Sequence, residues 1–332
     1  MQIDVVGGGS IGLLFGARLA EAGADVVIWT RSKEQAALVS ERGVLVRELG
    51  GSSEQYIAVQ GAWVQDRNFF STLTARKNGG GKRWILLAVK QTSVNDQLLA
   101  FLDRLVSDSG ESDVALVCLQ NGLGHMEKIK AKLPSIPLFA AVVTEGARRI
   151  DGHSVEHTGK GELWMGEWTA NGRKRDISED NSLEMFVSML QSAGFASFLS
   201  NELENRIYNK LLINAVINPL TAIFDVQNGQ LPMHASRLQL MRALYTETER
   251  VLVQAGMQAP RDGWQTVMDV CRNTSRNVSS MLSDIREGRA TEIDTINGGV
   301  LMLARQYGQQ APLNEAVIEL VKALHPKPDT EE

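Results

Sequence analysis

A short apolar strand from Ile3 to Val6 runs into the loop GGGSIG, then into LLFGARLAEAG with helical periodicity, then into a second strand, ADVVIWTR. Gly7, Gly9 and Gly12 stand at G-x-G-x-x-G spacing inside one strand, turn, helix and strand unit of about thirty residues, the setting in which that spacing carries meaning. The first glycine permits the turn, the second lets backbone amides approach a pyrophosphate, and the third lets helix pack on strand. Unpaired N–H groups and the positive dipole end at the helix start complete an anion site. Gly7, Gly8, Gly9, Ser10, Ile11 and Gly12 are therefore expected to hold a dinucleotide, and the chain to open with an α/β Rossmann-type domain.

The end of the second strand says which dinucleotide. NAD readers place an Asp or Glu there for the ribose 2′-hydroxyl, whereas VVIW runs into Thr30, Arg31, Ser32 and Lys33. Arg31 can fork onto a 2′-phosphate, and Thr30 or Ser32 can add hydroxyl donors. A solvated loop arginine is the plainer reading of Arg31; the missing acid favours NADP(H).

Further strands are read at GVLVRE and YIAV. WILLAV is continuously apolar, as a parallel strand buried on both faces should be, and leads to Lys90; VALVCL leads in the same way to Asn121-Gly122. Ligands of open α/β sheets sit off the carboxyl ends of the strands, where both residues fall. A snorkelling lysine and an Asn-Gly turn remain open for them. LFAAVV reads as another buried strand, SVEH and GELWMG as antiparallel strands closing the sheet edge, and a helix near Ser182 to Ser192 with the strand GFASFL completes a domain over 1–200.

From Glu202 the 3.6-residue period dominates. Helices are expected at 203–217, 236–255, 262–275, 291–307 and 313–324, giving an all-α domain over 201–325 and a polar tail over 326–332. The first of these helices is apolar on nearly all sides, yet Lys210, Asn214 and Asn218 fall at i, i+4 and i+8 as one polar stripe. Buried amides and a buried ammonium must meet polar partners. A small anionic substrate is one such partner; hydrogen bonds to other loops are the other. Pro219 is expected to end the helix. A helical domain following a dinucleotide domain creates a cleft that can bring the stripe to the nicotinamide end of the cofactor. Asn277, Ser279 and Ser280 could take a carboxylate or merely cap a helix. Glu292, next to Thr291 at a helix start, is by itself better read as a capping residue.

GGGSIG, LLAVK, QNG at Asn121, KLLINAVINPLTAIF, VQNGQL with Asn228-Gly229, NVSSMLSDI and TEIDTINGGVL together resemble the ketopantoate reductase (2-dehydropantoate 2-reductase) family, in the family's order over most of the chain. The resemblance implies an NADPH-binding Rossmann domain joined to a helical domain, and reduction of ketopantoate to D-pantoate on the route to pantothenate and coenzyme A. It implies that Lys210 is the general acid and touches the substrate, and that Asn214, Asn218, Asn228 and Ser280 hold the substrate's hydroxyl and carboxylate. Glu292 would lie near substrate and nicotinamide, with Lys90 and Asn121 on the cofactor side. Gly146, also expected beside the cofactor, stands where an alanine is anticipated, and the segments around 76–83 and 169–180 are longer than in compact members.

Two competing readings are a reductase of another small branched 2-keto acid and a non-catalytic NADP(H)-binding regulator. The net charge of −5 gives no reason to expect nucleic acid or an anionic membrane, so an anionic substrate has to be held by local charges. Two cysteines and the absence of a leader-like segment fit a reducing cytoplasm. His153 and His157 do not form a metal pair on a strand, and no metal is expected. Apolar residues on the helix over 236–255 are a candidate homodimer face.

Overall fold

The computed structural model describes residues 1–48, 50–51, 53–66, 69, 82–107, 114–169 and 181–324. The expected tail and most of the two long segments lie outside these residues. The chain forms two compact units, Met1–Gln120 with His125–Leu203, and Asn121–Gly124 with Glu204–Glu332.

In the first unit, strands β1 (Gln2–Val6), β2 (Asp25–Thr30), β3 (Val44–Arg47), β4 (Glu54–Ile57), β5 (Gln60–Trp63), β6 (Arg83–Leu87), β7 (Val114–Cys118), β8 (Leu138–Val143), β9 (Gly146–Arg149), β10 (Ser154–Gly159), β11 (Glu162–Glu167) and β12 (Ala196–Leu199) alternate with helices α1 (Ser10–Glu21), α2 (Lys33–Arg42), α3 (Asp96–Ser107), α4 (His125–Lys132) and α5 (Asn181–Ser192). The larger sheet runs β12-β11-β8-β7-β6-β1-β2-β5. Its pairs are parallel except β11 with β8. β1 lies between β2 and β6, so the chain leaves the sheet centre at the switch point where open α/β folds bind nucleotides.

Burial on both faces explains the unbroken apolar runs of β6, β7 and β8. Trp84 of β6 stacks on Phe186 of α5 at 4.2 Å, and Phe15 of α1 on Phe195 at 4.0 Å. The buried Asp4 of β1 accepts from the Trp29 indole at 2.7 Å and pairs with Arg83, which satisfies a carboxylate that an apolar strand could not otherwise carry.

The strands GVLVRE and YIAV form, but in a second sheet of order β4-β3-β10-β9. SVEH joins that sheet as β10; GELWMG enters the larger sheet as β11, antiparallel to β8 as expected, but β12 and not β11 forms the edge. β10 pairs antiparallel with β9 and shifts register between His157 and Gly159. Sequence periodicity reports which face of a strand is apolar and not which sheet receives it.

The second unit holds α6 (Leu203–Phe224), a 3-10 helix (Asn228–Met233), α7 (Ala235–Gln254), α8 (Gly263–Asn273), α9 (Ser280–Arg286), α10 (Ile293–Gln306) and α11 (Pro312–Ala323). α6 is long and apolar enough by composition to cross a membrane, yet Leu211, Leu212, Ala215, Val216, Ile217 and Leu220 are buried in the unit's own core.

Pro219 does not end α6, contrary to expectation; the helix continues to Phe224. A proline removes the hydrogen bond from its own nitrogen to the carbonyl four residues earlier, here that of Ala215. That carbonyl accepts instead from Asn297 Nδ2 of α10 at 2.9 Å. Asn297 is fully buried and also donates to Asn314 Oδ1 at 3.0 Å, while Glu247 accepts from the Asn314 backbone and side chain at 2.8 and 2.9 Å. Asn297→Ala should therefore strand a buried carbonyl and lower unfolding free energy by about 1–3 kcal/mol in urea titrations. In a Pro219→Ala background the penalty should shrink, because residue 219 regains the donor that Ala215 lacks.

Candidate active site

α6 carries Lys210, Asn214 and Asn218 on one helical stripe, and all three fall on its continuous turns. Lys210 and Asn214 are half-buried and Asn218 is buried. Burial pushes the Lys210 ammonium down from an ordinary value of 10.5 to about 8, and the negative charge of Glu292 opposes that fall.

Glu292 occupies the N-cap position of α10 but makes no side-chain cap bond. Its Oε2 accepts instead from Asn121 Nδ2 at 3.4 Å. The capping reading of Glu292 fails on geometry, and its carboxylate belongs electrostatically to Lys210. Asn121 enters this unit through the segment Asn121–Gly124, fastened by Leu123 N to the carbonyl of Thr295 at 3.2 Å. Residues 121, 210 and 292 are thus brought together within one compact unit.

Asn228 is buried at the start of the 3-10 helix. Its Nδ2 donates to Thr274 Oγ1 at 2.9 Å and its backbone N–H to the Asn277 carbonyl at 3.0 Å. Asn228 Oδ1 and Asn121 Oδ1 are buried without a hydrogen-bond partner, so each has acceptor capacity to spare. Ser279 has another use: its buried Oγ caps α9 by accepting from Leu282 N at 3.1 Å and lies 2.7 Å from Thr221 Oγ1. Ser280, first residue of α9, and Asn277 are exposed. Periodicity predicts no helix at 280–286, because seven residues are too few to establish a period.

In the first unit, Gly7 leaves β1 with φ +125°, and a side chain there would sit 2.9 Å from the backbone of Ala88 and Val89. A side chain at Gly12 would overlap the Gly7 carbonyl, which fixes the close packing of α1 on β1. Open space lies over Gly9. These positions, with Ser10 and Ile11 in the first turn of α1, fit a pyrophosphate. Lys90 lies three residues beyond the end of β6, adjoining the Ala88 and Val89 backbone that borders Gly7.

Arg31 is exposed just after β2, and its carbonyl accepts from the Trp63 indole at 3.1 Å. The hydroxyls proposed beside it are committed elsewhere. Thr30 is fully buried and donates to the Ser32 carbonyl at 2.7 Å, while Ser32 caps α2 and donates to Glu34. Gly146 has a local cause: a side chain there would meet Thr158 Oγ1 at 2.8 Å and Gly159 N at 2.9 Å, at the register shift of β10.

Sequence reasoning missed Gln120 and His125. Both Gln120 side-chain polar atoms and His125 Nδ1 are buried without partners, and burial lowers the His125 imidazole to about 4. Nothing in their spacing signalled this. Among the described residues no group of three or more His, Cys, Asp or Glu side chains could hold a metal.

Residues 3–170 match the family model described as ketopantoate reductase PanE/ApbA, and residues 202–325 match that of the ketopantoate reductase PanE/ApbA C terminal. A 2-dehydropantoate 2-reductase of Bacillus subtilis (strain 168) is 31% identical over 324 residues, covering 98% of this chain and 97% of the relative. The crystal structure of a "probable 2-dehydropantoate 2-reductase panE" from Bacillus subtilis superposes with a TM-score of 0.76 at 28% identity, over 98% of this chain and 100% of that one. A ternary structure of D-mandelate dehydrogenase with NADH and anilino(oxo)acetate gives 0.80 at 22% identity over 98% of both chains, a likeness of fold.

Lys210 has a folded pKa below its unfolded value, so between about 8 and 10.5 the unfolded chain binds more protons. The penalty of burying its charge is full below that window and relieved as pH rises through it. NMR of isotopically labelled lysine should find one resonance titrating near 8, and Glu292→Gln should move that midpoint lower.

Proposed function

The chain belongs to the ketopantoate reductase family of oxidoreductases, and from that premise we propose that it reduces 2-dehydropantoate to D-pantoate with NADPH, the step that feeds pantothenate and coenzyme A synthesis. The observation that carries the reading is the half-buried Lys210, held near neutral pKa between desolvation and the charge of Glu292.

NADPH, when bound, supplies the hydride that converts the keto carbon to a carbinol. Gly7, Gly8, Gly9, Ser10, Ile11 and Gly12 would hold its pyrophosphate and Arg31 its 2′-phosphate. Lys90, Asn121, Gly146 and Glu292 would line the rest of its site. Lys210 stabilises the negative charge that develops on the carbonyl oxygen and hands that oxygen its proton, so the ketone gains two electrons and two hydrogens in all. A donor with a pKa near 8 remains mostly protonated at neutral pH and yet releases its proton readily. Asn214, Asn218 and Asn228 supply amides for the substrate's hydroxyl and carboxylate, with Asn277 and Ser280 at the exposed end. Ser279 contributes by fixing the start of α9. Glu292 keeps Lys210 protonated and orients Asn121.

Loss of NADPH absorbance on adding 2-dehydropantoate tests the reading directly. No turnover with this substrate but turnover with another branched 2-keto acid would reassign specificity; binding of NADPH with no turnover of any keto acid would leave a regulator. Lys210→Ala should reduce kcat by roughly 10² or more, the scale of a lost general acid, with little change in NADPH affinity. Asn214→Ala should act through KM for the keto acid, and an unchanged KM would count against its placement. In the forward direction kcat/KM should fall as pH rises through about 8, where Lys210 loses its proton.

A further inference from the structure

The hairpin of β9 and β10 is fastened to the glycine-rich turn. Arg149, last residue of β9, donates its backbone N–H to Ser10 Oγ at 3.0 Å, and its Nη1 lies 3.4 Å from the Gly8 carbonyl. Gln35 of α2 ties the same parts from the other side, its Nε2 donating to the Gly8 carbonyl at 2.8 Å and to the Gly152 carbonyl in the hairpin turn at 2.9 Å. The guanidinium therefore stands beside the turn that begins α1 on a backbone that three hydrogen bonds hold in place.

The charge of Arg149 is not consumed locally. Its neighbour Arg148 pairs with Glu156, whereas among the described residues Arg149 pairs with no carboxylate. The nearest acid in sequence, Asp151, is turned into the hairpin, where its oxygens accept from His153 N, Ser154 N and Ser154 Oγ at 2.9, 2.8 and 3.0 Å. One weak bond to a carbonyl leaves most of the five N–H donors of an exposed guanidinium available. Nothing covers Gly9 within 4 Å, so the approach to the turn is open.

We propose that Arg149 is a phosphate-binding residue of the dinucleotide site, donating charge-assisted hydrogen bonds to the pyrophosphate at the start of α1. The inference rests on the dinucleotide reading and assigns a residue that the glycine motif does not contain. It gives two exposed arginines of this unit different duties: Arg31 reads the 2′-phosphate, present only in NADP(H), and Arg149 the pyrophosphate, present in both dinucleotides. Anchoring the backbone fixes where the side chain starts and so narrows the positions its guanidinium can reach.

The test is a fluorescence titration of NADPH and NADH into the full-length wild type, Arg149→Ala, Arg149→Lys and Arg31→Ala. Removing one charge-assisted contact is expected to weaken binding by about tenfold or more. Arg149→Ala should weaken both nucleotides by a similar factor and flatten the salt dependence of binding, Arg149→Lys should recover part of the loss, and Arg31→Ala should weaken NADPH alone. Unchanged affinities in Arg149→Ala, or a loss confined to NADPH, would overturn the assignment while leaving the dinucleotide reading intact. A wild type that binds neither nucleotide would overturn both. Exposure of the side chain keeps the fold out of the comparison, and equal melting temperatures for wild type and Arg149→Ala check that.

Discussion

An ammonium inside an apolar helix survives only where something negative or polar offsets its lost hydration, and the helical unit is arranged around that constraint at Lys210. Desolvation alone would drive the group toward its neutral form, and Glu292 pulls in the other direction. For Glu292 to do so it has to forgo capping α10, the use that its position at a helix start invites, and accept from Asn121 instead. Asn121 is available because the four residues Asn121–Gly124 belong to this unit and are fastened to α10. Leu123 bonds the Thr295 carbonyl and lies over Gly299 of α10, 3.4 Å from where a side chain there would begin.

The same helix places a further demand on its surroundings. Carrying the stripe to Asn218 and the core to Leu220 requires α6 to pass through Pro219, and a proline interior to a helix leaves one carbonyl unpaired. Asn297 answers that carbonyl, Asn314 answers Asn297, and Glu247 answers Asn314 while also receiving the first backbone donors of α11. A buried polar network of this kind is worth its desolvation only when nearly every member is satisfied. TINGG and the Asn of α11 therefore have a structural reason for their polarity, distinct from the chemistry assigned to Lys210 and Glu292.

The fold was largely legible from residues, because a strand, a glycine turn and a helix in immediate succession admit few architectures, and buried parallel strands announce themselves as unbroken apolar runs. The stripe of Lys210, Asn214 and Asn218 was legible too, since helical spacing alone puts three residues on one line. What stayed hidden was pairwise. Whether Glu292 caps or faces a lysine depends on partners far away in sequence, while Thr30 and Ser279 spend their hydroxyls on the nearby Ser32 carbonyl and Leu282 N–H, local uses that residue type alone does not separate from ligand binding. Pro219 shows the same limit in sharper form: the local rule was sound, and a residue 78 positions later supplied what the rule said was missing.

An acidic chain that, in the proposed reaction, takes an anionic nucleotide and an anionic keto acid has to hold both by local devices, and the two units offer different cations for that. Arg31 and Arg149 are exposed guanidiniums, weakly hydrated and forked, a geometry that suits the phosphates proposed for them. Lys210 is half-buried, burial lowers its pKa to about 8, and a group of that pKa suits the proton transfer proposed for it. Exchanging the two residue types would defeat both purposes. In the proposed reaction an arginine at 210 would hydrogen-bond the substrate's oxygen without transferring a proton to it, and a lysine in the open at 31 would neutralise a phosphate without matching its geometry. Burial thus separates the group that reacts from the groups that hold, and the depth of each side chain follows from its task in the proposed reduction.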